Sequence, residues 1–136
     1  MLNQEYITLA NYRLKTACET LDTAKILFEV KKYRDCNNRC YYCIFHALRA
    51  VLALEGKDFS KHSGVIQHFQ RYYIKTGALP KEVSKAITEA SIIRNQSDYS
   101  DFFIASRENT KEQIVHAEYV YTVIEEYIQD MLNENI

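Results

Sequence analysis

Residues 35–56 read Asp35-Cys36-Asn37-Asn38-Arg39-Cys40-Tyr41-Tyr42-Cys43-Ile44-Phe45-His46-Ala47-Leu48-Arg49-Ala50-Val51-Leu52-Ala53-Leu54-Glu55-Gly56. Apolar or small side chains fall at 36, 40, 43, 44, 47, 48, 51 and 54. Steps of three and four are the period of an α-helix. The stripe is wide, so this helix is expected to be central, with Gly56 ending it in the left-handed conformation.

The same spacing recurs on both sides. Leu14, Ala17, Leu21, Ala24 and Phe28 make one stripe within a helix over 6–30, and Lys31-Lys32-Tyr33-Arg34 interrupts it. After a loop over 57–61, Val65, Ile66, Phe69, Tyr72 and Tyr73 give a short helix stopped by Gly77. Pro80 suits the first turn of a fourth helix, where its missing N–H is not needed. Val83, Ala86, Ile87, Ala90 and Ile93 form that helix's buried face, and 95–105 reads as a second loop. The last helix starts near Ser106 or Thr110 and runs to about Asn133, with Ile114, Ala117, Tyr121, Ile124, Ile128 and Met131 on its stripe.

The 136 residues include 3 glycines and 1 proline, all between 56 and 80. Tight-turned β folds need more breakers than this, whereas long helices need few. No fixed repeat and no linker is visible. The expectation is one all-α domain over 1–136, an up-and-down bundle of four to five helices. A 47% hydrophobic fraction supplies its core.

Net charge is −1, but residues 1–80 hold 12 Lys and Arg against 7 Asp and Glu, while 81–136 hold 5 against 11. Such opposed halves attract each other, and the positive half suits phosphate. Met1-Leu2-Asn3-Gln4-Glu5 lacks the basic start and apolar run of a secretory peptide. The uncharged run Cys40–Phe45 is far short of the ~20 residues of a membrane span. A cytoplasmic, membrane-free protein is expected.

Cys36, Cys40 and Cys43 have the C-x₃-C-x₂-C spacing of the radical-SAM cluster loop. On a straight helix the three thiols share a face but span about 10.5 Å along its axis, so they do not converge on one cluster. Zinc through Cys40, Cys43 and His46 lacks a fourth ligand, there being no second C-x₂-C. The thiols read as small packing residues. No metal and no cofactor is expected.

Three polar blocks carry a family resemblance. They are Asn38-Arg39-Cys40-Tyr41-Tyr42-Cys43-Ile44-Phe45-His46-Ala47, Lys61-His62-Ser63-Gly64-Val65-Ile66, and Arg94-Asn95-Gln96-Ser97-Asp98-Tyr99. In this order the chain resembles the HEPN domain family over about residues 10–131. The branch it is similar to has N-R-x-Y-Y-x-x-F-H-A, K-H-S-G-V-I and R-x-x-x-D-Y patterns, with alanine common at the three cysteine positions. The resemblance implies a helical bundle that forms a homodimer and associates with nucleotides or RNA. Some members are toxins or defence RNases, as in toxin–antitoxin systems. Others partner a minimal nucleotidyltransferase.

The RNase members follow the arginine with a histidine four to six residues later. Here Arg94 is followed by Asn, Gln, Ser, Asp, Tyr, Ser and Asp. Metal-independent RNA cleavage needs a base for the 2′-OH, an acid for the leaving oxygen and a cation for the phosphorane. Arg94 supplies only the cation. Asp98 is a poor base beside an arginine, and its charge repels phosphate.

For Arg94 the i,i+4 spacing allows phosphate binding or an ion pair with Asp98. Arg39, Tyr42 and His46 share one helix face, either as a pocket where Tyr42 stacks on a base and Arg39 holds phosphate, or as a buried polar network. His46 is the candidate base on that face, or a hydrogen-bonded core histidine. His62 is a second candidate, or orders the start of its helix. Arg94, Asp98 and Tyr99 complete the candidate nucleotide or RNA site with Arg39, Tyr42, His46 and His62.

His68 and His116 read as surface residues, and Lys31, Lys32 and Arg34 as a solvated basic turn. Tyr41, Tyr72, Tyr73, Tyr119, Tyr121 and Tyr127 read as core or dimer contacts. The leading expectation is therefore a HEPN homodimer without the intact RNase motif, partnering a small nucleotidyltransferase or binding nucleotide or RNA. The alternatives are an RNase toxin using Arg94 with His46 or His62, and an interaction adaptor with no ligand of its own.

Overall fold

The computed structural model describes residues 2–134; Met1, part of the N-terminal start read above, and residues 135–136 lie outside them. Five α-helices follow in order: α1 (Gln4–Glu29), α2 (Tyr33–Leu54), α3 (His62–Phe69), α4 (Lys81–Tyr99) and α5 (Arg107–Glu134). A π-helical turn, Gln70–Ile74, continues α3. No strand occurs among the described residues.

The central helix is α2, which packs on each of the other four. Its predicted stripe is buried throughout, from Cys36 to Leu54. Ile44, Leu48 and Val51 meet the α1 stripe of Leu14, Ala17, Leu21, Ala24 and Phe28 and the α5 stripe of Ile114, Ala117, Ile124 and Ile128 in one core. On the α5 stripe, Tyr121 and Met131 are only partly buried. Gly56 does take φ +68°, and Gly77 takes φ +81° in the turn that leads to α4.

Cys36, Cys40 and Cys43 are fully buried in this core. A thiol–thiol hydrogen bond with Cys36, together with burial, pushes the Cys40 thiol far above its ordinary range. Burial pushes Cys43 up to about 12. Metal ligation needs thiolates, so the environments of Cys40 and Cys43 favour packing.

Four features of α2 and α4 differ from the sequence reading. The second helix begins at Tyr33 rather than Asp35. Pro80 is the N-cap of α4, with ψ 150°, and the helix proper starts at Lys81. Ile93 is half-buried rather than core, because the buried face of α4 runs through Val83, Ala86, Ile87, Ala90 and then Ser97. Most consequentially, residues 95–99 are not loop: α4 continues to Tyr99.

That last turn is a poor helix former by composition, and it is held from outside. Asn37 Nδ2 donates to Ser97 Oγ at 3.2 Å, and Asn38 Nδ2 donates to Asp98 Oδ2 at 3.0 Å. Arg34 donates to the carbonyls of Gln96 and Ser100 at the helix end, which also accept the backbone amides of Ser100 and Phe103. The basic turn is thus only partly solvated, since Lys31 and Lys32 are exposed while Arg34 caps α4.

Arg34→Ala is expected to cost about 1 kcal/mol, the usual value of a cap, and to fray α4 locally. Amide hydrogen exchange should quicken at residues 96–100 and stay unchanged in α1.

The Tyr and His readings divide. Tyr41 and Tyr73 are buried, Tyr121 and Tyr127 partly so, and Tyr72 and Tyr119 are exposed. His68 and His116 are half-buried rather than surface residues. Each lies beside a carboxylate, His68 by Glu55 at 3.2 Å and His116 by Glu89 at 3.3 Å.

Candidate functional site

Between Cys36 and Leu54, α2 is buried everywhere except at Asn38, Arg39, Tyr42, His46 and Arg49. The last four are spaced three, four and three, so they form one stripe about 15 Å long. On a helix otherwise enclosed by its neighbours, the half-exposed strip is Arg, Tyr, His and Arg. Residues from α3 and α4 complete the face.

Arg94 of α4 reaches across to this strip. Its guanidinium donates to Tyr42 Oη at 2.9 Å and lies 4.9 Å from the Tyr41 ring centre and 5.4 Å from that of Tyr42. Its Nε lies 3.2 Å from Asp98 Oδ2, yet the Nε–H is not aimed at that oxygen and makes no hydrogen bond. The contact is therefore an ion pair by proximity, and Asp98 also accepts from Asn38. Asn95 Oδ1 accepts from a further Arg94 nitrogen at 3.2 Å. Both readings of Arg94 meet here: it is paired with Asp98 and positioned on the open face.

Arg39 packs its guanidinium 5.1 Å from the Tyr42 ring centre and donates twice to Asn38 Oδ1. It has no carboxylate partner among the described residues. Tyr42 is thus flanked by two guanidinium groups. Cation–π contacts of this kind are worth about 0.5–2 kcal/mol and orient the planar cations as stacking surfaces.

His62 enters from the first turn of α3. Its Nδ1 is 3.1 Å from Tyr41 Oη, and its ring lies 4.1 Å from that of Phe45. Tyr41 consequently links His62 to Arg94. His46 lies one turn further along α2, 6.1 Å from Tyr42 between ring centres. Tyr99 is exposed at the end of α4, 5.9 Å from the Arg94 guanidinium. The seven candidate residues therefore gather on one face, with His46 toward the Arg49 end and Tyr99 at the rim.

Asn38, Tyr41, Arg49, Arg13 and Asp58 join the face without having been read as site residues. Asp58 accepts from Arg13 and Arg49, each at 3.1 Å. The helical spacing of Arg49 after His46 was a usable signal. Arg13 and Asp58 meet it only through the fold.

Electrostatics follow from this gathering of cations. Burial first, then Arg49, Arg39, Arg13 and His62, hold the His46 imidazole below the ordinary histidine range. Burial, then Arg94 and Arg49, do the same for His62. Both rings are neutral at pH 7. The unfolded chain takes up these protons near pH 6.5 and the folded chain resists, so stability is full above about 6.5 and falls as pH drops. The melting temperature should therefore decline between about pH 7 and 5, and His46→Gln should remove part of that decline.

A strandless bundle with a cationic, aromatic strip along its central helix matches the class expected from the three sequence blocks. The HEPN domain model matches residues 10–127, and the chain belongs to the HEPN domain family. A UPF0332 protein of Thermotoga maritima is 36% identical over 123 residues, covering 90% of this chain and 93% of the relative. Two Methanocaldococcus jannaschii proteins carry the name "putative toxin". One is 36% identical, covering 74% of this chain and 75% of the relative. The other is 29% identical, covering 79% and 73%. No described helix is long and apolar enough to cross a membrane.

Proposed function

We propose that this HEPN protein binds a nucleotide or RNA on the face formed by Arg39, Tyr42, His46, His62 and Arg94, and does not cleave it. The observation that carries the reading is the half-exposed Arg–Tyr–His–Arg strip of α2 with Arg94 laid across it. Arg39 and Arg94 provide the phosphate contacts. Their ring-flanking guanidinium planes and Tyr42 provide stacking surfaces for a base. Asp98 restrains Arg94 and opposes phosphate, which keeps the site weaker than an unopposed arginine pair.

The same reading makes the protein a cytoplasmic homodimer and the partner of a minimal nucleotidyltransferase, in a toxin–antitoxin or defence setting. Exposed Tyr99 at the rim of the site, and exposed Phe102 and Ile104 in the segment that follows α4, support an interaction role, because large exposed apolar side chains favour contact with protein. The names of the two Methanocaldococcus relatives fit the toxin setting. An adjacent reading frame for a nucleotidyltransferase, and a dimer mass by light scattering, are the expected results.

A second reading has a specific observation behind it: a neutral His62 hydrogen-bonded to Tyr41, in turn beside Arg94, is a geometry from which a base could act. One assay separates the two. Labelled RNA incubated with the protein and EDTA stays intact under the binding reading. Cleavage that Arg94→Ala and His62→Gln each abolish would replace it with the RNase reading.

A further inference from the structure

The α3–π segment and the first turns of α4 enclose an open groove of about 1060 Å³. Ile66 gives it an apolar side, and Arg71, Lys75, Lys81 and Lys85 place four cations around it. None of the four is in an ion pair among the described residues. Arg71 lies over its neighbour Tyr72, 5.3 Å from the ring centre. The α4 carboxylates Glu82 and Glu89 line a separate hollow, to which Lys85 also contributes. The groove is thus a concentration of positive charge, with only Lys85 of the four also lining the hollow that holds carboxylates, on a chain whose net charge is −1. It is also flanked by the π turn, a distortion that tends to mark functional sites.

The groove and the Arg94 face share the same two helices. On α3, His62 belongs to the Arg94 cluster and Ile66, one turn later, to the groove. On α4, Lys85 belongs to the groove and Arg94 to the cluster, about 13.5 Å further along the axis and about half a turn around it. Around a helix about 10 Å wide that half turn makes the surface path about 20 Å. At about 3.4 Å per nucleotide of a stacked strand, about six nucleotides would join the two. A polyanion with a regular phosphate spacing fits this arrangement, whereas a mononucleotide reaches only one end.

We infer that the groove is a second phosphate-binding subsite and that, together with the Arg94 face, it forms one track for single-stranded RNA. The inference rests on the nucleotide-or-RNA reading of that face and narrows it to a single strand that also engages the groove. Exposed lysines that follow a backbone, beside stacking surfaces that hold bases, are the usual components of single-strand recognition.

The test compares a fluorescein-labelled ten-nucleotide RNA with a labelled dinucleotide by anisotropy, over a range of salt concentrations. Lys75 and Lys81 are exposed, so the double variant Lys75→Ala/Lys81→Ala should keep the parent's melting temperature. It should bind the ten-nucleotide RNA roughly tenfold more weakly and lower the salt-dependence slope by about 1.4, the value for two lost phosphate contacts. Dinucleotide affinity should not change. Unchanged affinity for the longer RNA, while Arg94→Ala weakens both probes, would overturn the track and leave the Arg94 reading standing. Loss in the lysine variant with no effect of Arg94→Ala would overturn the Arg94 reading and the single track with it.

Discussion

Arg94→Ala should weaken binding of a short RNA on the order of 10- to 100-fold, the effect of removing a charge-assisted contact worth about 1.5–3 kcal/mol. Arg94 lies across the only half-exposed strip of α2, held by Tyr42 Oη and flanked by Tyr41. Arg94→Lys should recover part of the affinity, because the charge returns without the planar fork. The informative companion is Asp98→Asn. It removes a carboxylate 3.2 Å from the guanidinium and keeps a polar side chain of similar size. If Arg94 serves the ligand, this variant binds RNA more tightly while losing a little stability. If Arg94 and Asp98 serve only to hold α4 on α2 through Tyr42 and Asn38, both variants lose stability and neither changes RNA affinity. Isothermal titration together with thermal melting reads both quantities.

Leu48→Ala should cost about 2–5 kcal/mol, the range for emptying a leucine-sized site in a packed core. Leu48 is 1% exposed, on the helix that touches every other helix of the bundle. No single neighbour can move in to fill the space without leaving another contact. Urea denaturation at fixed protein concentration should show a lower midpoint with an unchanged slope. Cys40→Ala, in the same core, should cost much less, since alanine replaces a small thiol that forms no disulfide. A Cys40→Ala cost matching that of Leu48→Ala would contradict the packing role of the thiols.

The bundle was largely readable because its helices follow their own periodicity. The α1 and α2 stripes are buried where the spacing of three and four placed them. The misread parts are those where tertiary contacts override local preference. Residues 95–99 look like loop because Asn, Gln, Ser and Asp are weak helix formers. They are helical because Arg34, Asn37 and Asn38 hold them from α2. Arg34 itself looked like part of a solvated basic cluster, since nothing local indicates a carbonyl sixty residues away. The π turn after α3 leaves no mark in the hydrophobic pattern.

The candidate face was readable in the same uneven way. Helical spacing alone puts Arg39, Tyr42 and His46 on one side, and Arg49 could have been added by the same rule. Which residues meet that side is decided by the packing of α3 and α4. Tyr41 sits off the strip and is 4% exposed, so it read as core. It is nonetheless the residue that joins His62 to Arg94. A buried aromatic with a polar tip can serve both purposes, and its sequence context does not distinguish them.

Backbone amide shifts, followed while a short single-stranded RNA is titrated into the protein, test the central claim most directly. The account predicts saturable changes concentrated at Arg39, Tyr42, His46, His62, Arg94 and Asp98, with the second half of α1, beyond Arg13, and the C-terminal half of α5 unaffected. Saturable shifts confined to other surfaces, or none at all, would contradict it.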